Sequence, residues 1–259
     1  MNKKLPKALI IAGVALLGLS AGGSAMAALN YVSDNYIAQM DLKSVGVTLN
    51  ENGTAISYRN YNHKDDSWSE ATGELLTTML SDAGDDQLVL NKRYTEELSV
   101  TNSGTIDEYV RVQVYHYWAE LDADGNEVKR TDVDPDMIVI GFTNDGWVED
   151  TSAQTAEKNV LYYTSVLESG ETSSLFADTL YISGQIAYKV TESTDTETRD
   201  DGKTYTVITS TYDYDGTYFV LRADVDAVQT HNAQEAILSA WGVNVTIDEA
   251  TGKLSLGNE

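Results

Sequence analysis

Apolar and polar residues alternate along much of the chain, and turn residues interrupt the alternation at short intervals. Val47 and Leu49 alternate before Asn52-Gly53, after which Ile56 resumes the pattern. A period of two places every second side chain on one face of a strand. Asn-Gly tolerates the positive φ angles of a tight hairpin turn. This first unit is therefore predicted to be a β-hairpin.

The longest predicted strand follows Asn102-Ser103-Gly104 and has one apolar and one polar face. Its apolar positions are Val110, Val112, Val114 and Trp118, with His116 on the same face, and its polar positions are Arg111, Gln113, Tyr115 and Tyr117. Further strands are predicted over residues 161–166, 180–190, 205–212 and 218–225, with hairpin turns at Asp201-Gly202 and Asp215-Gly216 and a terminal hairpin over 243–256. Roughly eight to ten strands at this spacing predict a mainly β protein, an antiparallel jelly-roll-like β-sandwich.

Two short inserted helices are predicted, near residues 70–81 and 232–241. In the second, Asn232 and Glu235 have the spacing of a capping box, and Gly242 stands where a left-handed residue ends a helix. The first presents apolar residues at helical spacing but contains Gly73, which lowers helix propensity. Its apolar positions are Leu75, Leu76, Met79 and Leu80.

The start of the chain has the composition of a secretion signal. Three lysines precede an apolar run over residues 8–19, and small residues follow it. Ala25-Met26-Ala27 fits the cleavage pattern, so a signal peptidase is expected to cut between Ala27 and Ala28. The apolar run is shorter than the roughly twenty residues that a helix needs to cross a bilayer, so no permanent membrane anchor is expected. The predicted organisation is a signal peptide over 1–27, a separate segment over 28–40, and one domain over 41–259.

Charge and cysteine content restrict the compartment and the partners. The 259 residues include no cysteine, 17 Lys and Arg, and 41 Asp and Glu. Removing the three signal lysines leaves 17 − 3 = 14 basic residues, and 14 − 41 gives a formal charge of −27. A field of this sign repels phosphate backbones and anionic lipids, so nucleic acid is not an expected partner. We expect a secreted, acidic protein without disulfides.

No pattern of catalytic residues stands out. His63, His116 and His231 lack zinc-site spacing, and no serine nucleophile elbow is present. The Asp-rich stretch from Asp122 to Glu127 lacks the spacing of a calcium loop and is predicted to be a turn. We therefore predict no enzyme activity, no cofactor and no metal site, with a glycosidase-like carboxylate pair as an alternative that 41 acidic residues leave open.

Tyrosines on predicted strands are candidates for a surface binding strip. Tyr115 and Tyr117 share the polar face of the longest strand, and Tyr58 and Tyr61 lie on an earlier one. Exposed aromatic rings stack on sugars or on other proteins. Strand propensity alone also explains tyrosines at these positions.

Several blocks of sequence resemble the TasA/camelysin family. They are Gly22-Gly23-Ser24-Ala25-Met26-Ala27 with the following residues 28–34, Ser99-Val100-Thr101-Asn102-Ser103-Gly104 leading to Tyr109-Val110-Arg111-Val112, Trp147 with Tyr162-Tyr163, and residues 223–242. The resemblance implies export by a SipW-type signal peptidase. It also implies a jelly-roll sandwich that assembles into extracellular fibres of a biofilm matrix, with itself or with paralogous matrix proteins.

The resemblance assigns a role to residues 28–40, the segment that cleavage would free. In fibre-forming relatives this segment adds a strand to the neighbouring subunit, and here its apolar residues are Leu29, Tyr31, Val32, Tyr36 and Ile37. Folding back onto its own subunit is the alternative. Two other functions remain open: a cell-surface adhesin or polysaccharide-binding module, and a camelysin-like secreted metallopeptidase.

Overall fold

The computed structural model describes residues 44–62, 65–85, 87–200 and 203–257. Two antiparallel sheets in this part of the chain form a β-sandwich, which confirms the mainly β fold predicted from the alternation. The predicted signal peptide and the segment over 28–40 lie outside the described residues, as does His63. Among the helices that the structure describes, none is long and apolar enough to cross a membrane.

The first sheet has six strands. They are β1 (Gly46–Glu51), β2 (Thr54–Asn62), β3 (Ser67–Ala71), β4 (Tyr94–Asn102), β7 (Ile138–Phe142) and β10 (Ala177–Ile182). Their spatial order is β3, β2, β1, β4, β10, β7. Asn52 and Gly53 have φ angles of 48° and 76°, so the predicted hairpin between β1 and β2 is confirmed.

The second sheet packs against the first. It comprises β5 (Glu108–Leu121), β6 (Glu127–Arg130), β8 (Trp147–Glu149), β9 (Lys158–Tyr163) and β13 (Tyr218–Gln229). The order is β13, β5, β9, β8, and β6 pairs with the end of β5.

Two small ribbons and two helices complete the described elements. The ribbons are β11 (Val190–Thr198) with β12 (Thr204–Tyr212), and β14 (Val245–Ile247) with β15 (Leu254–Leu256). The helices are α1 (Met79–Asp82) and α2 (Ala233–Trp241), and short 3₁₀ turns span Pro135–Met137 and Gly184–Tyr188.

The alternation of β5 builds two separate cores. Its even-numbered apolar residues point between the sheets, where Val110, Val112 and Val114 are fully buried beside Leu98 of β4. On the opposite, outer face, Tyr109 belongs to a second core. Because the period is two, one strand serves both cores without a break in its ladder.

The second core lies under α2 and the β14–β15 ribbon. Ile237 of α2 and Leu254 of β15 pack on Tyr162 and Val228, which project outward from the second sheet. The helix and ribbon therefore cover one end of the outer face. No described helix or ribbon covers the rest of that face, beyond Arg111 and Gln113.

The helix predicted near residues 70–81 is wrong for most of its length. Ser67–Ala71 form β3, and only Met79–Asp82 are helical. At Gly73 a β-carbon would overlap the Ile56 carbonyl oxygen, so this segment runs directly against β2. Leu76 has a φ of 68° and donates its N–H to the Glu51 carboxylate at 2.6 Å. In this segment a hydrogen bond to Glu51 of β1 takes the place of the i→i−4 hydrogen bonds of a helix.

The second helix is confirmed over Ala233–Trp241, but its predicted capping box is wrong. Asn232 is left-handed, with a φ of 50°, and its side chain makes no capping hydrogen bond. Gly242 does end the helix in the left-handed region, at φ 72°, and its N–H reaches the Leu238 carbonyl at 3.0 Å.

Two predicted turns connect different sheets. Asn102-Ser103-Gly104 carries the chain from β4 in the first sheet to β5 in the second, and the buried Asn102 amide donates to the carbonyls of Ile106 and Leu167 at 2.7 and 2.9 Å. Asp215-Gly216 forms a turn but not the predicted hairpin, because β12 pairs with β11 and β13 pairs with β5. The Tyr214 ring packs edge-on against the Trp118 ring, with 4.9 Å between the ring centroids. This contact directs the chain back to the second sheet.

The strand predicted over residues 180–190 is interrupted by a 3₁₀ turn. Gly184 donates its N–H to the Asn91 side chain at 2.7 Å, and the chain then leaves the sandwich as the β11–β12 ribbon. Nearly every residue of that ribbon is exposed on both faces. It pairs with no other described strand.

Candidate functional site

A cavity of about 420 Å³ lies where α2 and the β14–β15 ribbon meet the outer face of the second sheet. Its floor comes from β5 and β9, and its wall from the end of α2 and the segment that follows. Volumes of this size are typical of sites for small molecules.

The floor carries a hydrogen-bonded group of polar side chains. Arg111 donates to Asp226 Oδ2 from Nε at 3.0 Å and from Nη2 at 2.6 Å, and Gln113 Nε2 reaches the same oxygen at 3.3 Å. Register explains the meeting, because Arg111 lies directly opposite Asp226 on β13. These mutual bonds hold the guanidinium and the amide in fixed orientations.

Aromatic rings form one side of the cavity. Trp241, the last residue of α2, lies 5.6 Å from Tyr162 between ring centroids, and the Arg111 guanidinium carbon is 5.2 Å from the Trp241 ring. Burial raises the pKa of Tyr162, so its hydroxyl stays protonated over the physiological range.

Lys158 and Asp150 complete the charged lining. Asp150 Oδ1 accepts hydrogen bonds from the backbone N–H and the hydroxyl of Ser152, at 3.0 and 2.6 Å. Among the residues that the structure describes, Lys158 has no salt bridge. It lies opposite Tyr115 in the β5–β9 ladder.

Tyr115 and Tyr117 continue the floor of the cavity onto the open part of the outer face. The Arg222 guanidinium carbon is 4.9 Å from the Tyr115 ring, and the Tyr117 hydroxyl donates to Glu127 at 2.9 Å. Tyr58 and Tyr61 lie on β2 in the first sheet, so the four tyrosines do not form one strip. A binding role for Tyr115 and Tyr117 stays a prediction.

Buried carboxyl groups lie away from the cavity, next to β1. Burial raises the pKa of Glu96 above its ordinary value, and the nearby Glu51 carboxylate raises it further. Glu108 is fully buried at the start of β5, where burial raises its pKa to about 8 although Oε1 accepts the Gly46 N–H at 2.9 Å. Alternation in the sequence did not distinguish these acids from solvated ones.

The two described histidines lie apart. His116 is buried between the sheets, where Nε2 is 3.3 Å from Asn159 Oδ1 and burial lowers the pKa of the ring. His231 is exposed before α2. No group of three or more histidine or acidic side chains in the described ranges is placed to hold a metal ion.

The acidic stretch after β5 is a turn, as predicted. Asp122 Oδ1 accepts the N–H groups of Asp124 and Asn126 at 2.9 and 2.8 Å, and Gly125 has a φ of 82°. These bonds close the loop between β5 and β6 on itself.

Sequence reasoning identified the polar face of β5 but not the cavity. The alternation predicts that Arg111 and Gln113 share the polar face of β5, but no local pattern places Trp241 or Lys158 beside them. Comparisons of the chain with models of protein families, with curated proteins and with solved structures find no match.

Proposed function

We propose that this protein is an exported subunit of an extracellular matrix fibre, joined to its neighbours by strand addition. The proposal combines the resemblance to the TasA/camelysin family with one structural observation. Among the described residues, the first sheet continues beyond the edge of the second, and no strand pairs with the long edge that adjoins the exposed part of the first sheet.

The open edge belongs to β13. This strand has 12 residues and pairs with β5 on one side, and no described strand pairs with its other side. β13 contacts β1, whereas the first sheet continues past β1 through β2 and β3. One more strand beside β13 would extend the second sheet over β2.

The face that such a strand would cover is partly aromatic. Arg59 lies opposite Val47, whose side chain packs on the main core, so Arg59 and Tyr61 are on the inward-facing side of β2. Trp68 of β3 is 38% exposed and lies 5.0 Å from Tyr61 and 4.4 Å from the Arg59 guanidinium carbon. Apolar side chains on an added strand would remove this surface from water.

The predicted donor has a suitable length. Residues 28–40 number 13, close to the 12 of β13, and both would extend over about 40 Å as strands. Strand addition derives affinity from main-chain hydrogen bonds and register from alternate side chains. Open edges of this kind are the usual templates for pairing with another chain.

The chain that follows the donor is held in place. Ser44 donates its N–H to the Thr105 hydroxyl at 2.7 Å, and Gly46 donates its N–H to the buried Glu108 carboxyl at 2.9 Å. A segment that precedes Ser44 therefore starts from a fixed point on its own subunit, which favours a defined geometry between neighbours.

Deleting Ala28–Met40 tests the proposal. We expect a folded monomer that forms no fibres, since the sandwich keeps all its described strands and loses only the donor. Electron microscopy shows assembly, and circular dichroism checks the fold. Fibres of unchanged form from the deleted protein would contradict strand addition.

Cross-linking locates the acceptor, because the chain contains no cysteine of its own. A Tyr36→Cys chain mixed with an Ala223→Cys or an Ala227→Cys chain should give an inter-chain disulfide under mild oxidation, because both alanines face inward on β13, the side that the apolar residues of the donor would cover. A Tyr36→Cys chain mixed with a Ser193→Cys chain, with the acceptor cysteine on the exposed ribbon, is the matched control. A disulfide that forms only within one chain, in double variants that combine Tyr36→Cys with either alanine substitution, would instead favour folding back.

A further inference from the structure

We infer that the cavity between β5 and α2 binds a neutral sugar unit, with Arg111, Gln113 and Trp241 as its contacts. This inference goes beyond the fibre proposal and does not depend on it. The polysaccharide-binding alternative from the sequence thereby acquires a defined site, one that Tyr115 borders.

The hydrogen-bonding groups of the cavity match hydroxyls. Asp226 Oδ2 holds Arg111 and Gln113, and the side-chain amide of Asn244 on the opposite wall makes no hydrogen bond within the described part of the chain. The cavity therefore offers N–H donors from Arg111 and Lys158. Asn244 adds an NH₂ donor and a carbonyl acceptor. A hydroxyl both donates and accepts, so a ring that carries several hydroxyls can use this mixture, whereas a purely apolar ligand cannot.

Charge around the cavity favours a neutral ligand. Arg111 and Lys158 supply two positive charges, and Asp150 and Asp226 supply two negative ones, so the local charge is balanced. The whole chain carries a formal charge of −24, which repels anions at long range. An acidic sugar would pay for desolvation of its carboxylate without a net positive partner.

The aromatic side gives the site a surface for an apolar ring face. Trp241 presents its ring next to the polar floor, with the buried Tyr162 ring behind it, and amphipathic ligands are held where aromatic and polar groups converge. Arg111 is only 15% exposed at its side chain and is fixed by two bonds, so little ordering is required on binding.

The open floor beyond the cavity suits further units of a chain. Gln113, Tyr115 and Tyr117 follow one another on the same face of β5, with Lys158 opposite Tyr115. From Arg111 to Tyr117 the strand extends over roughly 20 Å. A linear oligosaccharide can therefore place one unit in the cavity and the next ones along the tyrosines.

Titration of sugars into the protein tests this inference. Glucose, galactose, mannose and N-acetylglucosamine are added separately, with glucuronate and galacturonate as charged counterparts, and binding is followed by protein NMR shifts. We expect saturable binding of at least one neutral sugar in the millimolar range, with shifts confined to the cavity. The matching uronate should bind about tenfold more weakly.

Variants distinguish specific binding in the cavity from non-specific binding elsewhere on the surface. Gln113→Ala should weaken binding about tenfold, and Trp241→Leu should weaken it further while circular dichroism reports an unchanged fold. Gln185→Ala, an exposed glutamine on a 3₁₀ turn far from the cavity in sequence, is the matched control and should bind as the parent does.

Three results would overturn the inference. They are no saturable binding of any of the four neutral sugars, binding of a uronate at least as tight as that of its neutral counterpart, and an affinity that Gln113→Ala leaves unchanged. Fibre formation is measured separately by electron microscopy, so loss of one activity does not hide the other.

Discussion

Glu108 ties together the first and second sheets at the residue scale. Its Oε1 accepts the Gly46 N–H at the start of β1, and its own N–H donates to the Leu167 carbonyl at 3.0 Å. Oε2 has no hydrogen-bond partner in the described structure. A charge here is poorly compensated, which is why burial raises the pKa to about 8.

This burial makes stability depend on pH in a stated direction. Between the ordinary value of 4.5 and about 8, the folded protein keeps the Glu108 proton and the unfolded chain releases it. The stabilisation is complete below the pKa of the unfolded chain. It decreases by about 1.4 kcal/mol per pH unit between the two pKa values and is lost once the pH has risen through the pKa of the folded protein. Glu96 acts in the same direction, since its pKa is also raised.

Replacing Glu108→Gln should therefore flatten the pH dependence. The amide retains an acceptor for the Gly46 N–H but cannot ionise. The free energy of unfolding of the variant should therefore fall less steeply between about pH 5 and about pH 8, by the slope that corresponds to one bound proton. Urea unfolding at several pH values measures it. Glu97→Gln, at an exposed position of β4, is the control. Identical slopes for the Glu108 variant and the parent would contradict the assignment.

Helix α2 is the element that closes the cavity, and packing rather than capping holds it. Asn232, which precedes its first residue, makes no side-chain cap, whereas Ile237 is completely buried in the second core. The neighbouring Leu238 is 47% exposed. Ile237 is thus the largest buried side chain of the helix that positions Trp241, and Ala233 is the other buried residue.

We expect Ile237→Ala to destabilise the protein by about 2–5 kcal/mol, because a cavity replaces well-packed methyl groups. Leu238→Ala should change stability by less than about 1 kcal/mol, since its side chain keeps much of its contact with water. Equilibrium urea unfolding of both variants makes the comparison. Equal losses would contradict the assignment, because they would show that the buried face of the helix contributes no more than the exposed one.

The β11–β12 ribbon shows the opposite arrangement at the element scale. Nine residue pairs join its strands, from Val190–Tyr212 to Thr198–Thr204, yet its side chains remain largely exposed. Isolated two-stranded ribbons are marginally stable. Its ladder is therefore expected to open more readily than those of the sandwich.

At the scale of the whole molecule, charge opposes the proposed assembly. Subunits with a formal charge of −24, or −27 without the three signal lysines, repel one another in dilute salt. Screening lengths fall from about 30 Å at 0.01 M ionic strength to about 10 Å at 0.1 M. Hydrogen bonds and apolar contacts between strands act at short range, so their strength changes little between these two ionic strengths.

Fibre formation should consequently become faster as salt increases. Light scattering of a chain that starts at Ala28, measured at 0.01 M and 0.1 M sodium chloride, gives the rate of the proposed assembly, and sucrose at equal osmolality controls for solute effects. Slower growth in the higher salt would show that attraction between charged groups, rather than strand pairing, joins the subunits.

Local features were predictable because their causes are local. Asn52-Gly53 is a hairpin turn and Gly242 ends a helix, since few residues adopt positive φ as readily as these. The two faces of β5 follow from a period of two. The helix predicted near 70–81 is wrong because its structure is decided from outside the segment. Leu75 and Leu76 are at helical spacing from Met79 and Leu80, but the Leu76 N–H bonds to Glu51 and the chain at Gly73 contacts Ile56.

By itself, the sequence determined the strand period, the sharpest turns, the helix before Gly242 and a strongly acidic chain, because each depends on residues close together along the backbone. Only the tertiary structure decided which strands share a sheet, that Glu108 is buried, and that Arg111 meets an aspartate 115 positions away beside Trp241. Those outcomes depend on the packing of two sheets and a helix. The free energy of that packing comes from contacts between segments that are distant in sequence, so no single segment determines it.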